Sequence, residues 1–145
     1  MKPIEPSENK IKELISLFDK KKFDQLLKLS NELIDEFPNS ILIQNIQGVV
    51  HTELKNYKLA KNLFIKVVNL SPNYTDGHYN LANVYNKLDE KEKAIESYNK
   101  VIELDINYFK AHNNLGNIYR KKGLNKRAIE LYLSTLEINS NYKVA

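Results

Sequence analysis

The sequence predicts an all-α fold, on three observations. Glycine and proline are scarce, four of each in 145 residues, among abundant Leu, Ile, Lys, Glu and Asn, a composition that favours long helices over a turn-rich β fold. Apolar residues recur at helical spacing in paired bouts, Ala111, Leu115, Ile118 and Tyr119, then Ala128, Ile129, Tyr132 and Leu136, so the unit is a helix, a turn and a helix. That unit repeats every thirty-four residues: Gly116 falls in register with Ala82, Gly48 and Leu14, and Ala128 with Ala94, Ala60 and Leu26. With 42% hydrophobic and 28% charged residues, the balance is that of one globular domain of ordinary length.

Four windows follow, 7–40, 41–74, 75–108 and 109–142, with 143–145 the start of a further copy or a tail. The first is degenerate, because Leu14, Leu26 and Ser30 stand where later copies have small, small and aromatic residues. The second has Gly48, Ala60 and Phe64 and closes at Pro72, as the first closes at Pro38; the residue before a proline disfavours helix. The third has Ala82, Ala94 and Tyr98, and its "DEKE" at 89–92 reads as the capping signal of its second helix. The fourth has Gly116, Ala128 and Tyr132, with Gly123 and Asn125 at its turn and its second helix expected over 126–138. Ile106 and Ser140 replace the closing prolines of the last two copies, which should leave those connections more helical. A glycine inside a helix costs about 1 kcal/mol relative to alanine, so Gly116 signals a helix passing close by. Opposite Ala128, it lets the two axes approach the short end of the usual range, with the aromatic packed beneath.

A period of thirty-four with a small residue in the first helix, alanine then an aromatic in the second, and a closing proline resembles the tetratricopeptide repeat. The resemblance runs from about Ser7 to Tyr142 and departs from the family pattern in lacking its tryptophan, whose place Gln44, His78 and His112 take. It implies a right-handed α-solenoid, a superhelix of stacked antiparallel hairpins whose first helices line a concave groove. A lone hairpin cannot bury its apolar face, so stability comes from stacking roughly three or more copies.

Catalysis would need a convergent nucleophile, base and oxyanion donors, or a metal set. The chain has no cysteine and only His51, His78 and His112, all at repeat positions, and Gly48, Gly77, Gly116 and Gly123 are isolated, so they make no phosphate loop. No enzyme activity, metal or cofactor is expected. The net charge of +4 is spread among glutamates, as with Glu92 beside Lys93 and Glu96 four residues before Lys100, which reads as solvated helix surface. The clustered basic footprint of nucleic-acid or membrane binding is not visible. The opening "MKPIEP" leads into no apolar run of the secretory kind, and a cytoplasmic protein is expected.

First-helix residues opposite the buried face, placed at about 100° per residue, are expected to line the groove. They are Asn45 with Leu42, Val49, Thr52 and Glu53 in the second copy, and Asp76, Tyr79, Asn80, Asn83, Asn86 and Lys87 in the third. In the fourth they are Lys110, Asn113, Asn114, Asn117, Arg120 and Lys121. Amides carry both donors and acceptors, so Asn80 and Asn114, with Asn83 and Asn117 one turn on, suit the main chain of an extended peptide. The pattern is similar to the asparagine ladder of O-linked N-acetylglucosamine transferases, interrupted by Ile46 in the second copy; in a chain this rich in asparagine, exposed amides are also ordinary surface. The family's grip on the carboxylate of a chaperone tail is matched only by Lys110 and Asn80, since Asn45, Val49 and Asn114 replace the lysine, asparagine and arginine it needs. Lys110, Arg120 and Lys121 still favour an acidic or carboxylate-bearing partner.

The expectation is a non-catalytic protein-interaction module. Two other readings stay open: that the chain is a fragment, the substrate-presenting arm of a sulfotransferase, glycosyltransferase or oxygenase, as the resemblance implies; or that it self-associates through its terminal repeats. Ile129, Leu133 and Leu136 motivate the second, because repeat arrays normally end in a polar cap.

Overall fold

The computed structural model describes residues 4–144. Among them are eight helices and no strand: α1 (Glu8–Asp19), α2 (Phe23–Glu36), α3 (Ile41–Glu53), α4 (Tyr57–Leu70), α5 (Thr75–Lys87), α6 (Lys91–Leu104), α7 (Phe109–Lys121) and α8 (Asn125–Val144). None of the described helices is long and apolar enough to cross a membrane. The chain divides into two compact units, Met1–Gly77 and His78–Ala145.

In the first unit Leu14, Leu26, Leu33, Ile43 and Val50 form a buried cluster, and α3 packs on α4 through Gly48, where an added Cβ would come within 2.5 Å of the Phe64 ring. The second unit buries Ala82, Ala94, Tyr98, Val101, Ala111, Leu115 and Ile118 together. Here a Cβ on Gly116 would lie 2.9 Å from the Tyr132 ring and 3.4 Å from the Ala128 carbonyl, so the close approach signalled by the sequence is present and its tightest neighbour is the ring.

The turn inside each hairpin is built the same way. Lys21, Lys55, Asp89 and Gly123 have φ of 55°, 61°, 61° and 78°, a left-handed residue every thirty-four positions. The next residue's N–H then reaches back five residues, from Lys22 to Leu17, Asn56 to His51, Glu90 to Tyr85 and Leu124 to Tyr119, at 2.7–2.9 Å. These are Schellman closures, which satisfy carbonyls left open at a helix end. They correct the expected capping role of "DEKE": Asp89 is spent as the left-handed turn residue, and Glu90 holds the cap position of α6 without a side-chain cap bond, its carboxylate binding Lys93 at 2.9 Å.

Between hairpins, the backbone N–H groups of Ser40, Tyr74 and Tyr108 donate to the carbonyls of Phe37, Ser71 and Asp105 at 3.0–3.1 Å. The connection at Ile106 is no more helical than those with proline, because the Asp105 carboxylate accepts from the Asn107 N–H at 3.0 Å and His112 Nε2 holds the Ile106 carbonyl at 2.8 Å. At Ser140 the chain does stay helical, and α8 runs through Val144, past the expected end at residue 138; Ala145 lies outside the described residues. The surface pairs also differ from expectation. Adjacent helical residues point about 100° apart, so Glu92 turns away from Lys93 and binds Lys122, the residue just past α7; Lys100 takes Glu103 at 3.1 Å rather than Glu96.

Near the N-terminus Glu5 accepts from the Ile41 N–H at 2.9 Å and from the Ser40 hydroxyl, whose oxygen in turn accepts from the Ile43 N–H at 3.1 Å. The start of α3 is thus capped by two residues thirty-five apart in sequence.

Non-glycine residues pay roughly 1 kcal/mol or more in the left-handed region. Lys55→Gly should therefore raise the free energy of unfolding by several tenths to about 1 kcal/mol, and Gly123→Ala, with open space around it, should lower it comparably, both read from urea titrations. Gly116→Leu forces the Tyr132 ring aside and should cost a few kcal/mol by the same measurement.

Candidate functional site

α5 and α7, the first helices of the two hairpins in the second unit, carry most of the expected groove residues. On α5, Tyr79, Asn80 and Asn83 are half-buried and Lys87 is exposed; on α7, Lys110, Asn113, Arg120 and Lys121 are exposed and Asn114 and Asn117 half-buried. Asn45 is half-buried on α3 in the first unit.

The structure joins three of these residues to one that sequence reasoning left in the core. Asn83 Oδ1 accepts from the Tyr98 hydroxyl at 2.5 Å and from Asn114 Nδ2 at 3.1 Å, and Asn114 Nδ2 also lies 3.2 Å from the Tyr79 hydroxyl and 3.4 Å from that of Tyr98. The Tyr79 ring packs against Tyr108 and Tyr98 at centroid distances of 5.0 and 6.1 Å. Burial pushes the Tyr98 phenol well above its ordinary value, against a smaller opposing pull from the Asn114 amide, so it stays protonated and donates to Asn83. One repeat later Asn117 Oδ1 accepts from the Tyr132 hydroxyl at 2.6 Å.

Asn83 and Asn117 thus serve the fold before they serve any ligand. A phenol drawn out of water needs an acceptor, and the residue fifteen positions upstream supplies it: Asn83 for the buried Tyr98 and Asn117 for the half-buried Tyr132, but Val49 for Phe64, which has no hydroxyl. That pairing was available in the sequence as a covarying column.

Lys110 opens α7 while Arg120 and Lys121 close it, so these cations are separated by about 15 Å of helix. They form two positive ends rather than one clamp. Beside Lys110 lies a shallow cleft of about 250 Å³ lined by Asp105, Asn107, Tyr108 and Phe109, smaller than a typical small-molecule site. At the place of the family's tryptophan, Gln44 Nε2 donates to the Pro38 carbonyl at 2.9 Å as His112 Nε2 does to that of Ile106. A carbonyl only accepts, so the His112 proton sits on Nε2 and the ring ties down a loop. No group of three or more potential metal ligands converges among the described residues.

Models of the tetratricopeptide repeat match residues 43–74, 75–108 and 109–142. Over 88 residues the chain is 31% identical to the Hsp70-Hsp90 organising protein of Plasmodium falciparum (isolate 3D7), a match covering 56% of this chain and 16% of that protein, so the chain spans a small part of that relative's length. Among solved structures, a crystal structure of MamA superposes with a TM-score of 0.89 at 22% identity, covering 95% of this chain and 81% of that one. MamA 41-end from Desulfovibrio magneticus RS-1 superposes with a TM-score of 0.85 at 25% identity, covering 92% and 76%. The fold is an α-solenoid of helix-turn-helix repeats, the class of protein-interaction scaffolds. More narrowly, the chain belongs to the tetratricopeptide repeat family.

Asn83→Val alone strands the Tyr98 hydroxyl and should cost about 1–3 kcal/mol. Pairing it with Tyr98→Phe, which reproduces the Val49 and Phe64 combination, should recover much of that loss in a double-mutant cycle by chemical denaturation.

Proposed function

We propose that the second unit holds an extended, acidic segment of another protein along the polar faces of α5 and α7, without catalysis. The observation that carries this reading is what the Asn83, Asn114, Tyr79 and Tyr98 network leaves over. With Asn114 Nδ2 and Asn83 Oδ1 spent inside the network, the Asn114 carbonyl and the Asn83 amide hydrogens remain as an acceptor and a donor pair. A peptide main chain offers the complementary groups at every residue. Asn80 and Asn113 extend the amide surface, and Tyr79 offers a half-buried ring. Lys110 at one end and Arg120, Lys121 and the nearby Lys87 at the other supply charge selectivity. Asn45 would give α3 a similar role.

The likeness to an Hsp70-Hsp90 organising protein supports the holding of proteins in general. It does not bring back the carboxylate clamp, because Asn45, Val49 and Asn114 still occupy three of its five positions. Asn114 would on this reading be shared between fold and face, so replacing it tests both at once; Asn113 and the cations separate the two.

Unstructured peptides of graded net charge, titrated by fluorescence anisotropy, should bind more tightly as negative charge rises, and salt should weaken them. Lys110→Ala, Arg120→Ala and Lys121→Ala combined should cost tenfold or more in affinity, with melting nearly unchanged. Affinity indifferent to peptide charge would remove the acidic partner, and full binding by Asn80→Ala with Asn113→Ala would remove the amide contacts.

A further inference from the structure

Ile95 and Ile102 of α6 are half-buried against the core that α6 shares with α7. Thirty-four residues later the same two places on α8 hold Ile129 and Leu136, which are 56% and 63% exposed, with Leu133 between them at 59%. The places that on α6 pack against this core are therefore apolar again on α8 and left bare. At about 100° per residue Ile129, Leu133 and Leu136 fall within one narrow stripe, bordered by the exposed Lys126 and Glu137. Contiguous bare apolar residues rimmed by polar ones mark a docking surface.

We propose that this surface takes a second copy of the chain, α8 packing antiparallel on α8 to give a closed dimer. Two features select that occupant and that geometry. The other end of the chain is unsuited to it: α7 meets its neighbour with the buried Ala111, Leu115 and Ile118, whereas α1 carries Asn9, Glu13 and Ser16 at those places, with Glu13 exposed and bound to Lys10 at 3.3 Å. Head-to-tail stacking would drive that carboxylate into an apolar contact, so a chain meeting its own kind is left with α8 against α8, an isologous contact that closes at two. The charges also favour antiparallel pairing. α8 has no acidic residue in its first turn but has Lys126 and Arg127 there, with Glu137 towards the other end, the reverse of what the helix dipole prefers. An antiparallel partner lays Glu137 near Lys126 twice over, while a parallel one sets like against like.

This surface is independent of the peptide face on α5 and α7, and so is its test. In sedimentation equilibrium the chain should pass from monomer to dimer as concentration rises and stop there. Leu133→Glu should raise the dimer dissociation constant at least tenfold with helical circular dichroism retained. Lys126→Glu and Glu137→Lys should each weaken the dimer, and the double exchange should restore it, because both salt contacts are remade with their signs reversed. A monomer at every concentration, growth beyond two copies, or a double exchange that fails to recover would each overturn the proposal. Lys110→Ala with Arg120→Ala should leave the mass unchanged, which separates this result from any failure of the peptide reading.

Discussion

The contact between an aromatic ring and a helix stripped of its side chain at the point of touch sets the geometry of the good hairpins. Phe64 beneath Gly48 and Tyr132 beneath Gly116 leave no room for a methyl group, and in the third copy Ala82 and Tyr98 are both buried at the corresponding places. Core packing of this density transmits small changes in volume, so the ring fixes how closely the paired helices lie. The degenerate first hairpin inverts the sizes rather than abandoning them: Leu14 is large and fully buried where others have glycine or alanine, and Ser30 is small and buried where others have an aromatic. Ser30 keeps its hydroxyl satisfied by donating to the Leu27 carbonyl and accepting from Gln47, both at 3.1 Å.

Putting a hydroxyl on that ring has a cost that the first helix must meet. In the low dielectric of a core an unpaired phenol is expensive, and an asparagine fifteen residues upstream answers it. Because the same asparagine stands half-buried on the first helix of its hairpin, one end of the amide serves the fold, and on the reading proposed above the other end would serve recognition. Asn114 carries the sharing across a hairpin boundary, from α7 to α5 and α6. An incoming segment would therefore meet amides already held in place, with less side-chain entropy left to lose.

The helices and their pairing were legible in the sequence because a fixed period forces every copy to testify to the others. Details carried by backbone conformation were not. Gly123 marked its turn, but the left-handed conformation it adopts there is shared by Lys21, Lys55 and Asp89 for the sake of the Schellman bonds, and nothing in lysine suggests it. Asp89 was misleading because an acidic residue ahead of a helix is a good cap in most settings. The candidate face was legible as a row of polar side chains, while the division of Asn83 and Asn117 between fold and surface depends on where Tyr98 and Tyr132 point. The extension of α8 was half visible, since Ser140 removed the proline but could not say how far the helix would run.

The reach of Glu5 to α3 bears on how the molecule breathes. Repeat arrays open hairpin by hairpin, because each repeat contacts only its neighbours. Here the degenerate hairpin is buttoned down by a carboxylate that spans it to hold the amide of Ile41. Opening that hairpin therefore breaks the cap of α3 as well as the leucine cluster, so the copy with the poorest sequence is tied to the fate of the one after it.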